Sequence, residues 1–187
     1  MTGKLDIQTA LVNRCKEGDR KAQYELYKRY SKAMLNVAAR ITNDLMEAED
    51  VLQEAFIRAF RNLESFKGES TFGAWLKRIV INTAINHIKK KRAETVDIDE
   101  ERLEVPDEAY QPEPVSGWEL DRVRKAIARL PEGYRVVLSL YLIEGYDHKE
   151  IGTILEISEA TSKSQFSRAK KKLRQMLADE KVRELYD

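Results

Sequence analysis

Apolar residues recur every three to four positions along most of this chain, and the places where that rhythm breaks divide it into elements. Ala22, Leu26, Tyr30, Met34, Val37, Ala38 and Ile41 share one face, which predicts a helix from about Asp19 to Thr42, ended by Asn43 and Asp44. A second stripe of Val51, Leu52, Ala55, Phe56, Ala59, Phe60 and Leu63 predicts a helix from about Met46 to Leu63. A shorter helix, about Ile7 to Glu17, precedes both and stops at Gly18. After Leu63 comes a small polar loop within "SFKGESTFGAWLKR", and Ser70 or Thr71 then caps a helix running to about Lys91. Further helices are predicted over about Trp118–Leu130 and Glu132–Ile143, the latter opening after Pro131, where a helix tolerates proline best. Two shorter ones follow: "HKEIGTILEI", where Asp147 and Glu150 have capping-box spacing, and "SEATSKSQFSRAKKKLRQML", with Ser158 as N-cap. A tight turn between short helices, the second rich in small polar and basic residues, predicts a helix-turn-helix. The expected fold class is all-α, in two small helical domains.

The pattern is lost between them. Residues 93–117 lack helical periodicity and hold three of the four prolines, Pro106, Pro112 and Pro114. Proline removes a backbone donor and pushes its predecessor toward extended geometry, so this strip reads as a flexible linker between a domain at 1–92 and one at 118–187. Charge divides the same way: net +7 over residues 1–92, −8 over 93–117 and +2 over 118–187, within a formal total of +1 for the 187 residues. The single cysteine, Cys15, excludes an intramolecular disulfide and fits a reducing cytoplasm. No long apolar run suggests a membrane helix or a signal peptide. His87 and His148 lie far apart without ligand-spaced neighbours, and neither a Ser-His-Asp set nor a glycine-rich phosphate loop is present. No cofactor, no metal and no catalytic role is expected.

Four surfaces remain as candidates. On the last helix, Phe166, Ala169, Leu173 and Leu177 can face a core, leaving Thr161, Lys163, Ser164, Gln165, Arg168, Lys171 and Lys172 on the other side. Short hydroxyls allow close approach to a groove, and the cations suit base edges or phosphates; a plain solvated basic face has the same composition. On the helix before the linker, Arg78, Asn82, Asn86 and Lys89 or Lys90 recur every four residues, as either a nucleic-acid stripe or an exposed polar face. Between 46 and 63, Glu47, Asp50, Gln53, Glu54 and Ile57 lie opposite the apolar stripe, where carboxylates suit a basic protein partner better than a phosphate backbone. The loop Phe66–Thr71, with Phe72 and Trp75 beside it, has aromatic walls and a hydroxyl-bearing rim, either to anchor a turn or to hold an unstacked base.

The segments "AEDVLQEAFIRAFRNLESFKGESTFGAWLKRIVINTAINHIKKKR" and "LPEGYRVVLSLYLIEGYDHKEIGTILEISEATSKSQFSRAKKKL" closely resemble bacterial sigma factors of the extracytoplasmic-function group. The order, spacing and separation of the motifs carry the resemblance over almost the whole chain. It implies a factor that binds core RNA polymerase and directs it to promoters. Asp50, Gln53, Glu54 and Ile57 match the family's contact with the clamp coiled coil of the largest subunit, and a flap contact is implied with it. The loop Phe66, Lys67, Gly68, Glu69, Ser70 and Thr71, with Arg78, Asn82, Asn86, Lys89 and Lys90, would recognise and melt the −10 element. Thr161, Lys163, Ser164, Gln165, Arg168 and Lys171 would read the −35 element. An anti-sigma protein is a further partner the resemblance implies. The sequence departs from the family at Ser162, where valine is usual, at Gln165, often arginine, and at Phe166, often leucine. Phe166 is expected to refill volume lost at Ser162.

Overall fold

The structure, a computed structural model, describes residues 2–95 and 118–183, with side chains over 9–94 and 120–179. The elements are α1 (Thr2–Lys16), α2 (Arg20–Thr42), α3 (Leu45–Arg61), a 3-10 turn (Leu63–Ser65), α4 (Phe72–Thr95), α5 (Trp118–Ala128), α6 (Glu132–Leu142), α7 (His148–Leu155) and α8 (Glu159–Arg183). The described residues contain no strand, in keeping with the all-α expectation. The chain divides into two compact units between Lys90 and Lys91. Residues 96–117 of the acidic strip lie outside the described residues.

In the first unit, caps set the helices. The Asp19 carboxylate accepts from the Lys21 and Ala22 N–H groups at 2.8 and 3.1 Å, and Arg14 bonds the same carboxylate from α1, holding it below the usual carboxylate range. Asn43 closes α2 in the left-handed region at φ 61°, a conformation asparagine tolerates better than most residues. Asp44 accepts from the Glu47 N–H at 3.0 Å and starts α3. Helix α3 ends at Arg61 and not at Leu63. The Asn62 side chain donates to the Arg58 carbonyl at 2.9 Å, and the chain tightens into the 3-10 turn that still buries Leu63. Helix α1 starts upstream of the first periodic residue and α4 runs about two turns past Ile88, its last buried apolar residue, extensions that periodicity cannot register. The core between these helices is built from Leu26, Ile41, Val51, Leu76, Val80, Ile81 and Ile85, all essentially inaccessible. Each such side chain contributes about 1.5–3 kcal/mol on burial. Leu11, Val12 and Cys15 dock α1, and burial pushes the Cys15 thiol up to about 11.

The second unit closes on Leu130, Val136, Val137, Leu138, Leu140, Ile151, Phe166 and Ala169. Helix α5 ends two residues before the expected Leu130, because the residue ahead of Pro131 is disfavoured in a helix. The capping box at α7 forms in full: Asp147 accepts from the Glu150 N–H at 2.8 Å, and the Glu150 carboxylate accepts from the Asp147 N–H at 2.9 Å. Glu156 turns the chain at φ 60°, and the Ile157 N–H donates to the Gly152 carbonyl at 3.0 Å. A Cβ on Gly152 would lie 2.8 Å from the Ile157 carbonyl oxygen, so the close approach of the two helices requires glycine there. Ser158 accepts from the Thr161 N–H at 3.0 Å and opens α8.

Candidate functional site

Helix α4 carries its candidate side chains on the face opposite its core contacts. Arg78, Asn82, Asn86, Lys89 and Lys90 are all exposed, while Leu76, Val80, Ile81 and Ile85 are buried behind them. The four-residue spacing therefore resolves into one positive, amide-bearing stripe. The loop before α4 is an arch with two anchored ends. Phe66 is half-buried, and its ring lies 5.7 Å from Phe72 and 5.4 Å from Trp75, which are themselves 5.5 Å apart. Phe72 also meets Tyr30 of α2 at 5.3 Å. At the far end the Thr71 hydroxyl accepts from the Ala74 N–H at 3.2 Å and caps α4. Lys67, Gly68, Glu69, Ser70 and Thr71 are exposed, and Gly68 turns the arch at φ 78°. Phe66 thus belongs to the aromatic cluster, and the polar rim begins at Lys67. One contact here was invisible to sequence reasoning: the Lys16 ammonium donates to the Phe66 carbonyl at 3.1 Å from α1.

Helix α3 presents Asp50, Gln53, Glu54 and Ile57 to solvent on its outer side. Glu47 does not join them. It is half-buried, with its carboxylate 3.6 Å from the His87 imidazole of α4, because its position on the helix turns it toward that neighbour. Glu54 is shared with Arg58, one turn on, in an exposed ion pair. Sequence reasoning missed the apolar part of this surface. Met46 is 78% exposed, and its spacing places it in line with Asp50, Gln53 and Ile57, itself 51% exposed. The available signal was an apolar residue at a helix start, off the core stripe.

On α8, Lys163, Ser164, Arg168 and Lys171 are exposed as expected, but Thr161 and Gln165 are half-buried. The Thr161 and Ser158 hydroxyls bond each other at 2.7 Å, so Thr161 is occupied in holding the helix start. Gln165 leans toward α6, its side-chain oxygen 3.7 Å from the place a Cβ on Gly133 would take. Lys163 is paired with Glu159 at 2.6 Å, which raises the ammonium above its ordinary range and holds the carboxyl below its own. Ser162 is fully buried, and its hydroxyl bonds His148 Nδ1 at 2.9 Å. His148 stacks on Tyr141 at 4.5 Å and meets the edge of Phe166 at 5.4 Å. The serine thus gains a polar partner, and Phe166 packs on His148 and Tyr141 (4.5 Å). Tyr141, Leu142 and Ile143 leave an exposed apolar turn at the end of α6.

Residues 26–94 match the family model described as Sigma-70 region 2, and residues 120–173 match Sigma-70, region 4. The chain is 34% identical over 184 residues to the RNA polymerase sigma-H factor of Pseudomonas aeruginosa, covering 91% of this chain and 92% of that protein. It is 33% identical over 178 residues to the ECF RNA polymerase sigma factor SigW of Bacillus subtilis, covering 90% and 95%. Its fold is similar to that of the sigma factor RpoE of Bartonella quintana, solved with the anti-sigma factor NepR, at a TM-score of 0.61 and 24% identity over 83% of this chain and 96% of that one.

Proposed function

The chain belongs to the extracytoplasmic-function group of bacterial RNA polymerase sigma factors, and from that membership we propose how its surfaces divide the work of initiation. A factor of this family binds core RNA polymerase and directs it to specific promoters. The observation that carries the division is that one unit holds two exposed faces of opposite chemistry on different helices. The stripe Asp50, Gln53, Glu54 and Ile57, extended by Met46, takes the clamp coiled coil of the polymerase: its carboxylates repel phosphates, and its exposed apolar atoms gain from being covered by protein. The stripe Arg78, Asn82, Asn86, Lys89 and Lys90 takes the −10 DNA. The arch from Phe66 to Thr71 receives a base unstacked from it, at a cost of a few kcal/mol that stacking and hydrogen bonds must offset.

In the second unit, Arg168, Lys163, Ser164 and Lys171 contact the −35 duplex, with Thr161 setting the helix start and Gln165 at the margin. The apolar turn Tyr141–Ile143 is assigned to the polymerase flap. The residues serve binding and positioning, not turnover, and the place of action is the cytoplasm, where polymerase and chromosome meet. A regulator of the anti-sigma class, covering one of these faces, is the partner we propose for the resting state.

The test separates the faces. Asp50→Ala with Glu54→Ala is expected to weaken binding to core polymerase by about tenfold or more while leaving the −35 contacts of the assembled complex unchanged. Arg168→Ala is expected to do the reverse, costing about 1–3 kcal/mol of −35 discrimination with polymerase affinity intact. Fluorescence titration with core polymerase and footprinting of the holoenzyme read the two. Equal loss of both activities in either variant contradicts the division.

A further inference from the structure

We propose that Lys16 is a positioning residue for promoter selection, clamping from α1 the end of the arch at Phe66. The proposal rests on reading that arch as the pocket for a −10 base. Lys16 precedes the matched region 2, which begins at residue 26. Its ammonium donates to the Phe66 carbonyl at 3.1 Å in a partly buried bond between residues 50 positions apart, so it ties two elements together. Its mount is rigid, because Leu11, Val12 and Cys15 beside it on α1 are buried.

Three constraints converge on Phe66. Its N–H donates to the Leu63 carbonyl at 3.1 Å, its ring is wedged against Phe72 and Trp75, and its carbonyl receives Lys16. That carbonyl lies at the C-terminal end of the 3-10 turn. Thr71 pins the opposite end by capping α4. Between the pins only Lys67–Ser70 are free to vary, and Gly68 has open space around its Cα. A span this short, held at both ends, has few conformations and presents its rim pre-organised. Discrimination among bases depends on that geometry. With the carbonyl released, Phe66 retains its ring contacts but its peptide plane can turn, and the rim starts from a different direction.

A phosphate contact by Lys16 is the competing role, and it has a different signature. Losing a phosphate contact weakens all promoters alike and makes the salt dependence shallower; losing a positioning contact changes the ratio between bases. The experiment is transcription by core polymerase with the full chain on promoters randomised across the −10 element. The proteins compared are wild type, Lys16→Met, Lys16→Arg and the rim variant Glu69→Ala with Ser70→Ala. The rim variant is expected to change which base is preferred. Lys16→Met is expected to lower the ratio of preferred to next-best base at that position by about tenfold, and Lys16→Arg, which keeps a cationic donor, to restore it. A shift with the rim variant and none with Lys16→Met overturns the role of Lys16 and leaves the pocket standing. No shift with the rim variant overturns the pocket and this role with it. A uniform drop across the library with Lys16→Met, from lost phosphate contact or lost stability, overturns the role too, as does failure of Lys16→Arg to restore the ratio.

Discussion

Lys163 lies on the face of α8 proposed to meet the −35 duplex, yet its ammonium is paired with Glu159 one turn upstream. The carboxyl is depressed and the ammonium raised by their mutual bond, so the pair exists above the depressed carboxyl range and below the raised ammonium range. It persists across neutral pH, and pH does not free Lys163 there. A phosphate must therefore compete with an acid that also repels it. Glu159→Ala is expected to raise −35 duplex affinity of the holoenzyme by about three- to tenfold at low salt, with the gain shrinking as salt rises; a salt-dependent footprinting series reads it. An unchanged affinity would mean that Lys163 takes no phosphate. At this scale the sequence was legible where a role is local. Asp147 and Ser158 were readable as caps because a cap bonds within its own turn. Lys16, Gln165 and the Ser162–His148 bond were not, since each partner lies 14 or more residues away or on another helix.

Among the elements, the turn between α7 and α8 carries the tightest geometric demand. Two helices meet so closely at Gly152 that a methyl group would press on backbone 2.8 Å away, where nothing flexible can yield. Gly152→Ala is expected to destabilise the second unit by about 1–3 kcal/mol, seen as a lowered midpoint in urea melting, and to weaken −35 recognition because α8 is tilted from its seat. Unchanged melting and recognition would show that the backbone shifts at little cost. The existence of each helix was readable from apolar spacing, whereas ends were less so. Leu63 keeps its place in the core through a 3-10 turn, so its burial looked like a longer α3. Phe72 and Trp75 were legible as anchors of α4; that Phe66 joins their cluster, leaving Lys67–Thr71 as the rim, required the arch to be seen folded.

For the whole molecule, the presence of two helical units was legible because proline and acidic residues interrupt the apolar rhythm between them. The opposition of charge on α3 and α4 was legible too, since periodicity assigns each side chain to a face. Met46 escaped because it stands at a helix start, off the core stripe, where spacing alone does not say whether neighbours cover it. The roles proposed for these surfaces have meaning only in combination: a stripe for polymerase, a stripe and arch for the −10 element and a helix for the −35 element are of use to a protein that brings polymerase to a promoter. The most direct measurement is transcription in vitro, with core polymerase, this chain and a library of genomic fragments, reading every 5′ end. Starts are expected at a small set of positions sharing −10 and −35 elements, present only when both core polymerase and this chain are supplied. The absence of specific starts, or sequence-specific DNA binding by the free chain as tight as that of its complex with polymerase, would contradict it.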